Sequence, residues 1–569
     1  MFFFVLIPLI IYAAFYDSNI DGALDLFHEG EALAPAAETL RDKLPFRDIY
    51  LQHGWGVNLL RTRLAFSLFG VSVAANRRLS NGDVSGYLVP VVWIVVYLLL
   101  YSLFRNKLWI IPTFVLLVFA DVMINERHLL PFLSMTLLVA GRRATTASPS
   151  GKSYFDAVLP LGARRAVPSH QMLKSFNASI FFAGVLAAAM VFYSLDTGVY
   201  ACAIGVAFIL LSAVGDNACG RRFLRDEMVS YCLGALVGAL PFLAYLIWRG
   251  ILDDFILNCY LQLRFQKETW GIPLPPLSSL KGPFENSTAR NRVIYVIIKW
   301  YYPMFVYACA VLALLPELIA RKLNDDDTAL LLCTLAGIIF YRSAAGRADE
   351  GHIMYALGPF WILNICFLER VVLFRKAIKR QRGGPDETPP LLLRFQSLCF
   401  SYLAFGFVVL GLVLYYYATC RNGGIVTRRF RLREWKESGL VGYSSLNIER
   451  AGGVHVPSEQ AQEVEKVVAF ITSHAKPDEP IFDFSNQGAY YFLADRTNPT
   501  PYCQIAYAAP ASMQAEALRK LEDSPPALVL MREGEVHKPE EKTPLIYEWI
   551  MENYREAARV GPNIMLLRN

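Results

Sequence analysis

Long stretches of this chain carry apolar residues without the alternation expected of a soluble helix or strand. Gly86–Phe104 and Met228–Trp248 hold almost no charge. Each is long enough to cross about 30 Å of hydrocarbon. The same pattern predicts spans at 1–16, 57–74, 84–104, 108–124, 178–194, 199–215, 229–248, 293–315, 328–340, 354–372 and 396–418. His128–Ala140 is apolar but short, and reads as a half-span or interfacial helix. The expected fold is an α-helical multi-pass membrane protein, with about eleven spans plus a half-span over residues 1–418. Beyond 418 charges are spread throughout, and 383–390 reads as a polar linker. From 455 onward helical and strand patterns alternate: helix at 459–474, strand at 480–484, helix at 489–494, strand at 527–531, helix at 544–558, strand at 563–567. Residues 419–569 are therefore expected to form a small soluble α/β domain.

Composition agrees with a membrane protein. Hydrophobic residues make up 54% of the 569 residues, charged residues 18%, and mean hydropathy is +0.34. The net charge of +6 gives no nucleic-acid stripe, because the basic residues sit in short clusters beside spans. Arg77-Arg78, Arg142 to Lys174, Arg221-Arg222, Arg321-Lys322 and Arg370 to Arg382 are placed in the cytoplasm by the positive-inside rule. The loop 17–56, with eight acidic residues against Arg41, Lys43 and Arg47, belongs outside. Loops 195–198, 249–292 and 341–353 and the C-terminal domain then share that outer face, the periplasmic or extracellular side. Cys420 and Cys503 both fall in the outer domain, where they could pair.

Candidate chemistry gathers on that face. Asp17, Asp21, Asp25 and Glu29 recur every four residues, with Glu31 following. On one helical face they would repel, so a cation, a basic group or a non-helical backbone must compensate. The stretch Glu31–Leu44 has the pattern of an amphipathic helix lying on the membrane surface. Arg342, Arg347 and His352 surround two glycines and Asp349-Glu350, and guanidinium groups bind phosphate oxygens through paired hydrogen bonds. Asp196, just past a span, reads equally as a helix cap and as a functional carboxylate. Asp325-Asp326-Asp327 reads as a solvated cytoplasmic turn, and Asn286-Ser287-Thr288 as an outward glycosylation sequon. A transporter or flippase of lipid-linked glycans would carry its ionisable residues at the midplane of several spans; here they collect at the outer rim. A non-catalytic envelope scaffold is the third reading.

Together these marks resemble the GT-C class of membrane glycosyltransferases, which includes protein O-mannosyltransferases and the lipid A aminoarabinose transferase. The resemblance rests on His28-Glu29-Gly30 and Pro45-Phe46-Arg47-Asp48 with His53-Gly54. It continues with Asp196-Thr197-Gly198, Gly346 to His352, and Tyr491 to Thr500. It implies a polyprenyl-phosphate-linked sugar as donor, a cell-envelope glycan, lipid or protein as acceptor, and inverting transfer at the outer face of a bacterial inner membrane. The first-loop base implied is Glu29, with Asp25 and Asp21 as substitutes, since relatives often carry Asp there. Arg347, His352 and Arg342 would hold the donor phosphate, with Asp196, Asp349, Asp48 and His53 in support. The carboxylate cluster permits a divalent metal without requiring one.

Overall fold

The computed structural model describes residues 2–79, 86–119, 122–147, 177–215, 220–276, 296–381 and 441–569. The expected span 396–418, the linker 383–390, the sequon at 286–288, Cys420 and the 418/419 boundary lie outside them, as does most of the basic stretch 142–174.

The helical region has two faces, defined by which helix ends meet. Helix Ile7–Phe15 runs antiparallel to Leu88–Leu103: the Tyr97 hydroxyl donates to the Phe3 carbonyl (3.0 Å) and Phe15 stacks on Trp93. At the other end the Gly86 N–H donates to the Asp17 carbonyl (2.9–3.0 Å range for such bonds; here 3.0 Å). Residues 17 and 86 therefore lie on one face, the loop face, and everything between them must leave and return on that side.

This corrects the expected span at 57–74. The helices Gly56–Phe69 and Val73–Leu79 meet at a 109° bend across Gly70, Val71 and Ser72, with Gly70 at φ +88°. Phe66 stacks on Phe492 of the C-terminal domain (5.5 Å), and Arg77 reaches back to residues 20–29. The segment is a re-entrant hairpin, and Arg77-Arg78 lies on the loop face, opposite to its expected side. A second correction offsets the first. Leu129–Ala147 is a 19-residue helix that crosses the bundle, replacing the expected half-span at 128–140. It starts beside Arg127 on the loop face and ends where Arg143 donates to the carbonyls of Ser102 and Leu103. Arg142-Arg143 had truncated the apolar run in sequence, whereas in the fold the Arg143 side chain caps a neighbouring helix end.

Among the described residues, four helices are long and apolar enough to cross a membrane: Leu195–Val214, Leu224–Trp248, Lys299–Ile319 and Asp327–Gly346. Shorter apolar helices, among them Leu88–Leu103 and Ala178–Tyr193, pack with them; by that measure the expected count of about eleven is not reached among the described residues. Small residues set the closest crossing: a Cβ on Gly234 would collide with the Phe181 carbonyl, and one on Gly184 with that of Tyr231. Opposite the loop face, Glu369 accepts from the Asn106 N–H (2.7 Å) and Asp327 pairs with Arg370. Asp327 is fully buried, correcting the expectation of a solvated turn at 325–327.

The C-terminal domain pairs short strands β1 (Tyr443–Ser445) and β2 (His455–Pro457), and builds a sheet from β3 (Ile481–Asp483), β4 (Leu528–Arg532), β5 (Tyr554–Val560) and β6 (Asn563–Arg568). The sheet order is β3-β4-β6-β5, parallel only between β3 and β4. The expected helix at 544–558 stops at Asn553, and its tail becomes β5; helix Ala511–Asp523 was not anticipated.

The domain is not a detached unit. Leu24, Leu33, Trp55, Phe66 and Val73 share one apolar core with Val456, Val464, Tyr491 and Phe492. The amphipathic helix expected at 31–44 is helix Gly30–Glu38, and all nine of its residues are buried. It is wedged beneath the domain instead of lying on a membrane surface, because Gly30 and four alanines permit close approach. A Cβ on Gly30 would collide with the Ala489 backbone N.

Candidate active site

The first loop is extended and turned, not helical, up to residue 26, so its carboxylates point to different partners. Asp21 accepts from the His455 N–H (2.7 Å) and faces the His455 ring (3.1 Å). The Leu24 N–H donates to Gln460 (2.8 Å), fixing this strand of loop to the C-terminal domain.

Glu29 is held by Arg77. The guanidinium makes five hydrogen bonds with its five N–H groups: two to Glu29 (2.9 and 2.5 Å) and three to the carbonyls of Ile20, Gly22 and Ala23. The Arg77 side chain is 1% exposed and that of Glu29 13%. Glu29 also accepts from the Asp25 N–H (3.1 Å). Both its oxygens are thus occupied in organising the loop.

Asp25 differs. Its side chain is 53% exposed, and its oxygens accept from the Phe27 and His28 N–H groups (3.1 and 2.9 Å) and meet His28 Nδ1 at 2.8 Å. Burial opposes its charge, but the His28 ring and the two backbone donors outweigh that and hold the carboxyl below its ordinary range. The same hydrogen bond raises His28, against burial. Glu31, two residues past Glu29, is buried; Tyr507 donates to it and His53 Nε2 lies at 3.5 Å. Burial works against its ionisation, and His53, His28 and Tyr507 together keep the carboxyl below its ordinary range.

Other expected residues join this group. The Leu195 N–H donates to the His53 carbonyl (3.1 Å), bringing the 195–198 turn against the first loop. Asp196 sits in the first turn of helix Leu195–Val214 and pairs with Arg127 (2.7 and 2.5 Å), which sequence reading had not singled out. Arg342 reaches the Tyr200 hydroxyl of that helix (3.4 Å). Asp48 only closes its own turn, accepting from the Leu44 N–H (2.8 Å).

Arg347, Asp349 and His352 form a relay: Arg347 Nε lies 2.6 Å from Asp349 and His352 Nδ1 2.7 Å from it. Asp349 is partly buried, which disfavours its charge, yet His352 and Arg347 hold it down at about 2. The turn is positioned by the chain after helix Leu252–Trp270, since the Ala348 N–H donates to the Ile272 carbonyl (2.9 Å). That places the Arg347 guanidinium 5.1 Å from the Trp270 ring centroid. Trp270 meets Phe27 and Tyr507 edge-on (6.2 and 5.3 Å), which closes the circuit from this turn to the first loop. Helix Leu252–Trp270 is tied down by Arg47 to Asp254 (2.9 Å) and by Gln262 to the Leu51 carbonyl. Along its free side Ile256, Leu257, Tyr260 and Leu263 are exposed, continuing the exposed Ile247 and Trp248.

The structure therefore brings Asp25, Glu29, His53, Asp196, Arg342, Arg347, Asp349 and His352 to one face, with Asp21 and Asp48 in structural positions at its margin. Among the described residues no three His, Cys, Asp or Glu side chains converge as metal ligands. Asp21, Asp25, Glu29 and Glu31 are each engaged by a side chain of the protein: His455, His28, Arg77, and Tyr507 with His53.

No protein-family model matches this sequence, and no curated protein matches it. Among solved structures the chain is similar to an oligosaccharyltransferase. That structure is the Archaeoglobus fulgidus enzyme tethered through a disulfide to an acceptor peptide containing the NVT sequon; the identity is 12%, the match covers 97% of this chain and 72% of that one, and the TM-score is 0.45. A likeness at that level fixes neither fold nor chemistry.

Proposed function

We propose that the protein is a GT-C-type glycosyltransferase that moves a sugar from a polyprenyl-phosphate donor to a cell-envelope acceptor at the outer face of a bacterial inner membrane. The observation that carries the reading is the meeting, on one face, of a solvent-open carboxylate at Asp25 with the Arg347–Asp349–His352 turn. The exposed apolar stripe of helix Leu252–Trp270 beside them is suited to a lipid tail.

In this reading the base is Asp25, because Glu29 is committed to Arg77 and Asp21 to His455. The acceptor hydroxyl oxygen attacks the anomeric carbon, its proton passes to the Asp25 carboxylate, and the bond between that carbon and the phosphate oxygen breaks. The departing polyprenyl phosphate takes the electron pair, and Arg347 and His352 stabilise its growing charge. Attack opposite the leaving group inverts the anomeric centre. Arg342 and the Arg127–Asp196 pair shape the wall behind.

The reading is tested by supplying polyprenyl-phosphate sugars to the purified protein and measuring released polyprenyl phosphate. Wild type should release it in step with glycosylated acceptor, and Asp25→Asn should lower that rate by roughly 100-fold or more. Full release by Asp25→Asn removes the base; absence of release by wild type across donor sugars removes the reaction.

A further inference from the structure

Arg347 is not the only cation over Trp270. Lys542 of the C-terminal domain places Nζ 4.1 Å from the same ring centroid and donates to the Thr269 carbonyl (2.9 Å). His537 lies edge-on to the indole at 4.9 Å and against Phe27 at 4.5 Å. Four basic groups, His28, Arg347, His537 and Lys542, thus surround one aromatic floor. They come from the first loop, an inter-helix turn and the soluble domain.

The acids near them are already paired: Asp25 with His28, Glu31 with His53 and Tyr507, Asp349 with Arg347 and His352. Trp270 is 8% exposed, and among the described residues its indole N–H has no hydrogen-bond partner. The crowding shows in the titrations. Burial and then Arg347 lower Lys542; burial, Lys542, Arg347 and His28 push His537 down to about 4. Like charges gathered in a partly desolvated aromatic setting favour the entry of an anion, and a buried donor without an acceptor adds a directed hydrogen bond to it.

We infer that Lys542, Arg347 and the Trp270 indole N–H form a seat for a phosphate group, so that the C-terminal domain supplies part of the donor-phosphate clamp. The inference rests on the glycosyltransferase reading for the identity of the phosphate, a lipid headgroup, and on the geometry alone for the seat. A free phosphate presents the same oxygens.

Calorimetric titration of the full-length protein with a short-chain polyprenyl monophosphate, and separately with inorganic phosphate, distinguishes the sources. Wild type should bind the lipid phosphate; Lys542→Gln should weaken binding by about tenfold or more, Lys542→Arg much less, and Asp25→Asn hardly at all. Thermal melting confirms that the variants are folded, and Trp270→Phe, which keeps the ring and removes the N–H, should also weaken binding. Equal affinity in Lys542→Gln and wild type overturns the seat and leaves the transferase reading standing. Lysine-dependent binding of inorganic phosphate alone keeps the seat and removes the lipid donor. Binding of neither probe by wild type overturns the seat outright.

Discussion

Glu29 and Asp25 stand one helical turn apart in sequence and have opposite surroundings. Glu29 faces a saturated, fully buried arginine that binds both of its oxygens. Asp25 faces an exposed histidine, whose side chain is 71% accessible, and keeps half of its own surface open. A carboxylate whose geometry is used to close a loop is a poor proton acceptor, because protonation would leave a guanidinium buried and unpaired. A carboxylate with a histidine neighbour can exchange protons without dismantling its surroundings. The contrast divides the loop face into a locked half, Asp21–Glu29–Arg77–His455, and an open half, Asp25–His28–Arg347–Trp270.

The largest effect should come from breaking the locked half. Arg77→Ala leaves the Glu29 carboxylate and three carbonyls without donors, and should cost about 3–5 kcal/mol of stability in thermal or denaturant unfolding. A loss below about 1 kcal/mol would mean the arginine does not hold the loop. In the open half, Arg347→Lys keeps the charge but not the fork geometry, and transfer should fall 10–1000-fold at unchanged melting temperature.

The Asp25–His28 pair gives a smaller, pH-dependent effect. Asp25 is lowered, so its contribution is present above the ordinary carboxyl value of 3.8 and is lost as pH falls through the lowered one. His28 is raised, so its contribution is full below 6.5 and is lost as pH rises through its raised value. The pair is therefore intact from about pH 4 to 6.5 and weakens above that window. Because both side chains are largely exposed, the difference between wild type and His28→Ala melting curves across the window should stay under about 1 kcal/mol. A difference that grows at alkaline pH would contradict the assignment.

The smallest effect tests topology. Arg78 is exposed on the loop face, so in a cysteine-depleted background Arg78→Cys should fold normally. An impermeant maleimide should label it from the same side as a cysteine at the exposed Glu533 of the C-terminal domain. Labelling from opposite sides would restore 57–74 as a span.

Much of this arrangement could be read from the chain. The four-residue spacing of carboxylates demanded compensating partners, and Asp21, Asp25 and Glu29 each meet a basic side chain. The Arg347–Asp349–His352 cluster was visible because it is local, lying within one turn. Arg77 was misassigned because an apolar stretch of spanning length precedes it and the positive-inside rule then sends it to the cytoplasm; the Gly70-Val71-Ser72 break, the one sign of the bend, weighed less than length. Trp270, His537 and Lys542 were invisible for another reason. They are single residues scattered over nearly half the chain, and only tertiary packing of the soluble domain onto the first loop gives them a common centre.

The most direct test of the division between locked and open carboxylates is the transfer rate of Glu29→Gln and Asp25→Asn measured side by side with their melting temperatures. Asp25→Asn should melt close to wild type while transfer falls roughly 100-fold or more, and Glu29→Gln should melt lower yet keep transfer within about tenfold per folded molecule. A Glu29→Gln protein that melts like wild type but no longer transfers sugar, beside an active Asp25→Asn, would reverse the two roles.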